Sequence, residues 1–211
     1  MKIGVLAVQG AFIEHERIIQ ELGYECIELR SKSDLQEIDG IILPGGESTV
    51  QGKLLRELDL FDSLKEKIAS GIPVLATCAG LILLSEEIEN DDNRYFGTLP
   101  VTVRRNAYGR QLGSFETTQH LEGFGSFPMT FIRAPYIVSV RDGVNVLGTV
   151  DDKIVAVQYQ NQIGLAFHPE LGGDDRIHRY FVELVEEWKA SKKKIGINNV
   201  SCPDYGTAYV L

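Results

Sequence analysis

Long apolar runs are missing from this sequence. Its 211 residues are 44% hydrophobic, yet no run approaches the ~20 consecutive apolar residues that a bilayer-spanning helix needs. The apolar start, residues 3–8, is too short for the hydrophobic part of a secretory signal peptide, and no cleavage site of small residues follows it. We therefore expect a cytoplasmic protein with no membrane segment.

Basic residues are also in the minority. Lys and Arg number 21 against 30 Asp and Glu, which gives a formal net charge of −9. Binding to a nucleic acid depends on a positively charged face that neutralises phosphates. The charge balance therefore argues against a nucleic-acid partner and favours a protein that handles small molecules.

Cysteine is scarce. The chain has three, Cys26, Cys78 and Cys202, and an odd, widely spaced set does not fit a disulfide framework and is typical of a reducing compartment. The sequence has no His-Glu-x-x-His motif and no paired cysteine spacing, so it predicts no metal site. Any cysteine chemistry must come from a single thiol.

Strand and helix patterns alternate over the first 90 residues. Strands are predicted at residues 2–8, 24–29, 39–43 and 71–77, and helices at residues 11–22, 48–70 and 79–87. Gly23 is the expected stop of the first helix. Repetition of this kind forms a parallel, doubly wound sheet with right-handed connections.

The pattern changes after about residue 95. Further, partly antiparallel strands are predicted at residues 99–104, 112–118, 127–133, 136–140, 144–150, 153–159 and 163–168. A closing amphipathic helix is predicted over residues 174–190. The sequence thus predicts one domain over residues 1–190 and a polar tail, native or added, over residues 191–211.

The strongest chemical signal is the segment Ala76-Thr77-Cys78-Ala79-Gly80. A predicted strand ends there and a helix begins at once, which is the arrangement of a nucleophile elbow, where small neighbours fit a tight and strained turn. A helix N-terminus stabilises a thiolate, so Cys78 is the candidate nucleophile. The alternative is a structural cysteine, because free cysteines are commonly buried.

A candidate base lies in the segment 167–170, Phe-His-Pro-Glu, which follows another predicted strand. His168 beside an elbow cysteine can act as its general base. Glu170, two residues on, can orient the imidazole and stabilise its protonated form. The remaining histidines are interpreted as structural or surface residues; they are His15, His120 and His178.

The third signal is the segment 43–49, Leu-Pro-Gly-Gly-Glu-Ser-Thr, between a predicted strand and a helix. Paired glycines let backbone N–H groups approach a ligand closely. The N–H groups of Gly46 and Ala79 can then form an oxyanion hole. A phosphate-binding loop is the competing interpretation, but neither of its glycine motifs is present; an ordinary strand-to-helix turn is the other.

Together the three signals resemble the class I, triad-type glutamine amidotransferases, in which they occur in the same chain order. Within that family the sequence is most similar to the glutaminase subunits of pyridoxal 5′-phosphate synthases. One departure is Ala76, where many members of the family have glycine two residues before the cysteine; one extra methyl should be tolerated. The resemblance spans residues 1–188 and rests on residues 8–10, 43–49, 77–81, 105–106, 109–111, 114–116, 131–135 and 167–170.

The resemblance implies a flavodoxin-like three-layer α/β fold, with a mostly parallel sheet and added antiparallel strands. It implies hydrolysis of L-glutamine to L-glutamate and ammonia by a triad of Cys78, His168 and Glu170, with no cofactor. The glutamine pocket would be lined by Gly46, Glu47, Ser48, Arg105, Ile132 and Arg133.

A protein partner is also implied by the resemblance. The ammonia would pass to a synthase subunit that assembles pyridoxal 5′-phosphate from pentose and triose phosphates and forms a large ring. Gln9 and Gly10, after the first strand, would couple the glutaminase to that partner. If the Gly46 peptide can turn, docking of the synthase could switch on the oxyanion hole.

Three alternatives stay open at this point. The chain could be the glutaminase subunit of another amidotransferase, such as imidazole-glycerol-phosphate synthase, although the Ile-Arg-Ala-Pro and Gly-Gly-Glu-Ser-Thr segments argue against this. It could be a flavodoxin-like cysteine hydrolase, in which the histidine usually follows the cysteine closely, not 90 residues on. It could also be a non-catalytic regulatory partner, against which the intact Cys, His and Glu set argues.

Overall fold

The computed structural model describes residues 1–105 and 113–198, with side chains through residue 194. The first half alternates strands and helices, as the sequence pattern predicts. Its strands are β1 (Lys2–Leu6), β2 (Glu25–Leu29), β3 (Gly40–Leu43) and β4 (Val74–Thr77). Its helices are α1 (Phe12–Glu21), α2 (Ser48–Glu57), α3 (Phe61–Ala69) and α4 (Ala79–Leu84).

Strands dominate the second half. They are β5 (Ser85–Ile88), β6 (Leu99–Arg104), β7 (Ser114–Leu121), β8 (Gly125–Ile132), β9 (Tyr136–Val140), β10 (Asn145–Val150), β11 (Lys153–Tyr159) and β12 (Gln162–Leu165). The helix α5 (Arg176–Asn198) follows them. Short 3₁₀ turns cover Lys32–Leu35 and Pro169–Leu171.

Most of the strands in the described residues join one ten-stranded sheet. Its order is β2-β1-β3-β4-β12-β11-β9-β6-β5, and β10 pairs with β11. The first five strands of that order are mutually parallel, whereas β11 pairs antiparallel with β12, β9 and β10. Strands β7 and β8 form a separate antiparallel hairpin. The predicted mostly parallel sheet with added antiparallel strands is confirmed.

The parallel strands bring three loops to one edge of the sheet. Strands β3, β4 and β12 are buried at every position, as expected for apolar strands covered on both faces. Their ends are level, because Leu43 pairs with Ala76 and Leu165 pairs with Thr77. The segments that follow them leave the sheet at its carboxyl edge, where open α/β sheets bind their ligands.

The helix predicted over residues 48–70 is two helices, so this prediction was wrong. Asp59 separates α2 from α3 and has a φ of 56°. The Asp59 N–H donates to the Arg56 carbonyl at 3.1 Å, and the Leu60 N–H donates to the Leu55 carbonyl at 2.8 Å. These two bonds form a Schellman helix end. Aspartate is one of the few non-glycine residues that adopt this conformation readily, so no glycine marked the break.

The end of the helix predicted over residues 79–87 was also wrong. Helix α4 ends at Leu84, and β5 follows at once and pairs in parallel with β6. The backbone becomes extended at Ser85, which has a ψ of 142°. All six residues of α4 are buried. Where every residue of a segment is apolar, the sequence shows no hydrophobic periodicity by which a helix could be told from a strand.

The closing helix is longer than predicted, since α5 runs to Asn198 and the prediction ended at residue 190. Lys192, Lys193 and Lys194 are good helix formers, and no proline interrupts them. The boundary between a domain at 1–190 and a tail stays a prediction.

Part of the predicted pattern lies outside the described residues. This applies to residues 199–211, which include Cys202, and to Asn106 and residues 109–111 of the family motif. Within residues 1–105 and 113–198, no helix has both the length and the apolar character that crossing a bilayer requires.

Candidate active site

Cys78 lies in the tight turn between β4 and α4, as predicted. Its backbone has φ 48° and ψ −100°, a strained conformation for a residue with a side chain and one that is concentrated at functional sites. The strain is held by the sheet, because the Cys78 N–H donates to the Leu165 carbonyl at 2.8 Å. A Cβ at Gly80 would overlap the Leu43 carbonyl, which explains the small residue there.

His168 and Glu170 are adjacent and buried. The His168 N–H donates to the Thr130 carbonyl at 2.8 Å, which ties the loop after β12 to β8. The Nδ1 of His168 lies 2.6 Å from Oε1 of Glu170. Pro169 opens the 3₁₀ turn that places the two side chains together, and the Glu170 side chain has no exposed surface.

The pKa shifts of this pair favour the charged forms. Burial lowers the pKa of His168, but its hydrogen bonds to Cys78 and Glu170 and their negative charges raise it, with a net value of about 10. Burial raises the pKa of Glu170, but its interactions with His15 and His168 lower it further than burial raises it. An imidazolium between a carboxylate and a sulfur is the arrangement that activates a cysteine nucleophile.

The Pro-Gly-Gly loop packs against His168. A Cβ at Gly45 would overlap the His168 ring, and one at Gly10 would overlap the Gly45 carbonyl. Gly46 has a φ of 156°, and a Cβ there would overlap the Gln9 side-chain amide. Glycine at these positions is therefore needed for close approach of three backbone segments.

Two glutamine side chains hold this loop in place. The Glu47 N–H donates to Oε1 of Gln9 at 2.8 Å. Nε2 of Gln51, which is fully buried on α2, donates to the Gln9 carbonyl at 2.9 Å and to the Pro44 carbonyl at 3.3 Å. The loop is thus attached to the segment after β1 by these side-chain amides and by one backbone hydrogen bond, in which the Ala11 N–H donates to the Gly45 carbonyl at 3.1 Å.

A cavity of about 300 Å³ joins these parts, at the small end of the ~300–1,000 Å³ range of ligand sites. Predicted site residues that line it are Gln9, Gly46, Glu47, Ser48, Cys78, Arg105, Ile132, Arg133 and His168. Glu170 lies behind His168, Gly10 lies behind Gly45, and Ala79 is buried next to Cys78. These last three are outside the cavity lining.

The charged residues at the cavity already have partners. Arg133 forms a half-exposed salt bridge with Glu47 at 2.9 Å. Arg105 pairs with Asp91 at 2.8 Å and donates to the Tyr95 hydroxyl at 3.1 Å. Of the two arginines predicted to line the pocket, Arg133 is therefore the one paired with Glu47, and Arg105 is paired elsewhere.

Two histidines interpreted from the sequence as structural or surface residues are buried in this region. His15 of α1 and His178 of α5 are fully buried, and His15 lies 3.3 Å from the carboxylate of Glu170. Their positions carried a signal: each is three or four residues from the apolar residues Ile19 and Phe181, respectively, and so lies on the apolar face of its helix.

Comparison with known proteins shows the family of this chain. The sequence matches the SNO glutamine amidotransferase family over residues 5–187. The chain belongs to this family. It is 64% identical over 195 residues to pyridoxal 5′-phosphate synthase subunit PdxT of Desulfitobacterium hafniense (strain Y51), covering 92% of this chain and 98% of that one. It is 51% identical over 191 residues to the subunit of the same name from Streptococcus pneumoniae (strain ATCC 700669), covering 89% and 99%.

The fold of this chain is similar to those of several solved structures. A crystal structure described as a glutamine amidotransferase superposes with a TM-score of 0.83 at 43% identity, covering 87% of this chain and 98% of that one. PurLQS from Thermotoga maritima has a TM-score of 0.63 at 17% identity, covering 89% and 98%, and shares the fold alone. The predicted flavodoxin-like amidotransferase fold is confirmed. In the described residues, no group of His, Cys, Asp and Glu side chains could hold a metal ion.

Proposed function

We propose that this chain is the glutaminase subunit of a pyridoxal 5′-phosphate synthase. It would hydrolyse L-glutamine to L-glutamate and ammonia and pass the ammonia to a synthase subunit in vitamin B6 biosynthesis. The observation that carries the proposal is the buried array in which Cys78 and His168 line the cavity and Glu170 lies directly behind His168. The identity of 64% with a PdxT subunit, over nearly the whole of both chains, supports the same pathway.

The first half of the reaction forms a thioester. The Cys78 thiolate attacks the side-chain amide carbon of glutamine, and the carbonyl oxygen becomes an oxyanion. The His168 imidazolium then donates its proton to the nitrogen, the C–N bond breaks and ammonia leaves. Because the negative charges of Cys78 and Glu170 hold this proton on His168, the acid for the leaving group is in place before the attack.

The second half needs a base, and the same residue supplies it. In the thioester the sulfur of Cys78 is neutral, so one of the two interactions that raise the pKa of His168 is gone. The imidazole, now unprotonated, takes a proton from water, which attacks the thioester carbon and releases glutamate. Glu170 remains ionised throughout and fixes the imidazole through Nδ1.

The oxyanion would be held by two backbone N–H groups. Ala79 is the first residue of α4, where N–H groups have no partner within the helix. Gly46 is the second donor, in the loop beside Gln9. Glu47 and Arg133, with Ser48, Arg105 and Ile132, would bind the substrate's charged end, its ammonium and carboxylate.

Coupling to the partner would act through the end of β1. Gln9 accepts a hydrogen bond from the Glu47 N–H and, at its carbonyl, another from Gln51. A synthase ring that touches Gln9 and Gly10 would therefore move the loop that carries Gly46. The proposal includes no cofactor, nucleic acid or membrane, and a cytoplasmic location.

The test is to follow the amide nitrogen. The purified chain, mixed with a pyridoxal 5′-phosphate synthase subunit and its pentose and triose phosphates, is given glutamine labelled with ¹⁵N in the amide. We expect stoichiometric glutamate and labelled pyridoxal 5′-phosphate. With Cys78→Ala, product should form only when ammonium chloride is added. Absence of glutamate, or glutamate without label in the product, would contradict the proposal.

A further inference from the structure

A second pair of histidines lies behind the triad. His15 and His178 are fully buried, and Nδ1 of His15 lies 2.9 Å from Nε2 of His178. The other nitrogen of His15, Nε2, lies 3.3 Å from Oε2 of Glu170 and 3.3 Å from Oγ1 of Thr77. Glu170 is therefore placed between two imidazoles, with His168 at Oε1 and His15 at Oε2.

One arrangement of protons fits this chain of contacts. A neutral imidazole has one N–H and one lone pair, and an ionised carboxylate has lone pairs only. If His15 carried its proton on Nδ1, its Nε2 lone pair would face the Glu170 carboxylate. With the proton on Nε2, His15 donates a hydrogen bond to Oγ1 of Thr77. The same N–H faces Oε2 of Glu170 at 3.3 Å, a buried oxygen that has no hydrogen-bond partner of its own. The Nδ1 of His15 accepts the Nε2–H of His178.

Burial keeps both histidines neutral. It lowers the pKa of His15, although the charges of Glu170 and Glu14 act against it. It lowers the pKa of His178 to about 3, although Glu170 and Asp175 act against it. A neutral donor leaves the full negative charge on Glu170, whereas a cation there would compete with His168 for that charge.

We propose that His15 is a positioning residue for glutamine hydrolysis, orienting Glu170 through Oε2, and that His178 fixes the tautomer that lets it do so. This inference rests on the proposed glutaminase function. His15 acts through Glu170, because it is buried behind the carboxylate and is not among the cavity-lining residues.

Removing the His15 donor has a specific consequence. The Glu170 side chain is fully buried, so water cannot replace the lost N–H at Oε2. An ionised carboxylate without that donor is less stable, and its pKa rises. Once Glu170 is protonated it no longer stabilises the His168 imidazolium, so activity is lost at a higher pH than in the wild type.

The ionisable groups around this cluster are few. The loop after β12 presents His168, the elbow presents Cys78, and α1 presents Glu14 beside His15. Helix α5 presents His178, with Asp175 just before the helix. Of these, His15 and His168 are the ones that lie within 3.3 Å of the Glu170 carboxylate, so a change at its Oε2 should be visible in the pH profile.

The experiment measures kcat and KM for glutamine from pH 5 to pH 10 in the complex with the synthase subunit. His15→Leu should lower kcat about 10- to 100-fold, as expected when a buried carboxylate oxygen loses its polar neighbour. KM should stay unchanged, and the fall of kcat on the acid side of the pH profile should move to higher pH. His15→Gln, whose amide can reach the position of Nε2, should restore most of kcat and return the acid side of the pH profile to its wild-type position. His120→Gln, an exposed histidine on β7, is the matched control and should behave as the wild type.

A measurement on the wild type covers the case in which His15→Leu does not fold. ¹⁵N NMR of the imidazoles at pH 7 should show neutral His15 and His178, each protonated at Nε2. A proton on Nδ1 of His15, or a folded His15→Leu with the wild-type pH profile and kcat, would overturn the inference. Failure of the wild-type complex to hydrolyse glutamine, or full activity of Cys78→Ala, would instead contradict the proposed function.

Discussion

The side of the cavity that carries Cys78, His168 and Glu170 is held by strand backbone and buried charges. The Pro-Gly-Gly side is held mainly by the side-chain amides of Gln9 and Gln51, with one backbone hydrogen bond from the Ala11 N–H to the Gly45 carbonyl. Cys78 takes its strained backbone from β4 and from a hydrogen bond to Leu165. The side-chain contacts of the Gly46 loop are hydrogen bonds from the Glu47 N–H to Oε1 of Gln9 and from Nε2 of Gln51 to the Gln9 carbonyl.

This difference separates a part that is preassembled from a part that can be adjusted. Strand hydrogen bonds and a buried ion pair change only with local unfolding. Side-chain amide bonds at the half-exposed Gln9 can be exchanged for contacts with another protein at little cost, since a net hydrogen bond contributes only about 1 kcal/mol. Cys78 would be in its reactive arrangement with or without the partner, whereas the oxyanion hole would be completed only when the synthase subunit docks.

The largest effect should come from the preassembled side. Cys78→Ala removes the nucleophile, and we expect glutamine hydrolysis by the complex to fall by about 10³-fold or more. The fold should survive, because alanine fits where the cysteine now sits at the cavity. Ammonia release from glutamine is the measurement.

Cys26→Ala is the matched control. Cys26 lies on β2, and burial raises the pKa of its thiol to about 12, so it carries no thiolate at neutral pH. An electrophilic glutamine analogue should label Cys78 and leave Cys26 unmodified. Labelling of Cys26, or near-normal turnover by Cys78→Ala, would remove Cys78 from the mechanism.

His168 and Glu170 should differ in the size of their effects. His168→Ala removes both the acid and the base, so its loss should match that of Cys78→Ala. Glu170→Gln keeps an amide oxygen that can hold Nδ1 but loses the charge that stabilises the imidazolium, so kcat should fall less. Steady-state kinetics of the two variants decide this, and equal activity of His168→Ala and wild type would exclude the triad.

The sequence predicted the elbow and both loops well because each is a local requirement. A cysteine in a strained turn needs small neighbours, and Gly45, Gly46 and Gly80 stand where any side chain would overlap other atoms. Because each constraint limits which residue type fits at that position, it can be recognised in the sequence. The level ends of parallel strands then bring the loops together.

What the sequence did not predict depends on contacts between distant segments. His15 and His178 are separated by 163 residues, and only the packing of α1 and α5 brings them together. Arg105 pairs with Asp91, although its charge alone would equally suit a substrate carboxylate. The break at Asp59 was missed because a non-glycine residue takes the left-handed conformation there.

If the Pro-Gly-Gly side is adjustable, the rate of glutamine hydrolysis should depend on the partner. With saturating glutamine, the isolated chain should turn over about 10²- to 10³-fold more slowly than the complex, the factor expected for one missing oxyanion donor. This prediction follows if docking sets the loop so that Gly46 presents its N–H to the cavity. Equal rates in the two states would show that no such switch exists.

Gly46→Ala tests the same loop within the complex. The added methyl would overlap the Gln9 amide, so the loop or Gln9 must shift. Turnover should fall more than the affinity for the synthase subunit, which is measured separately by titration. Normal turnover in the complex would mean that the glycine serves only a tight turn.

The smallest effect concerns stability, and it should again distinguish the two sides. The pKa of His168 is raised from 6.5 to about 10, so its contribution to stability is complete below pH 6.5 and is lost as the pH rises through 10. The pKa of Glu170 is lowered from 4.5, so its contribution is present above pH 4.5 and is lost as the pH falls. Glu170→Gln should therefore lower Tm most near pH 6, by on the order of 5 °C.

Gln9→Ala is the comparison that makes this prediction specific. Its Tm should stay within about 1–2 °C of the wild type at every pH, because it removes neutral, half-exposed hydrogen bonds whose groups can turn to water. Thermal unfolding followed by circular dichroism from pH 4 to pH 10 gives both curves. If the Tm deficit of Glu170→Gln did not shrink toward pH 10, the buried His168–Glu170 ion pair would not be what stabilises this side of the cavity. If Gln9→Ala showed the same pH-dependent loss, the two sides would not differ in the way their contacts indicate.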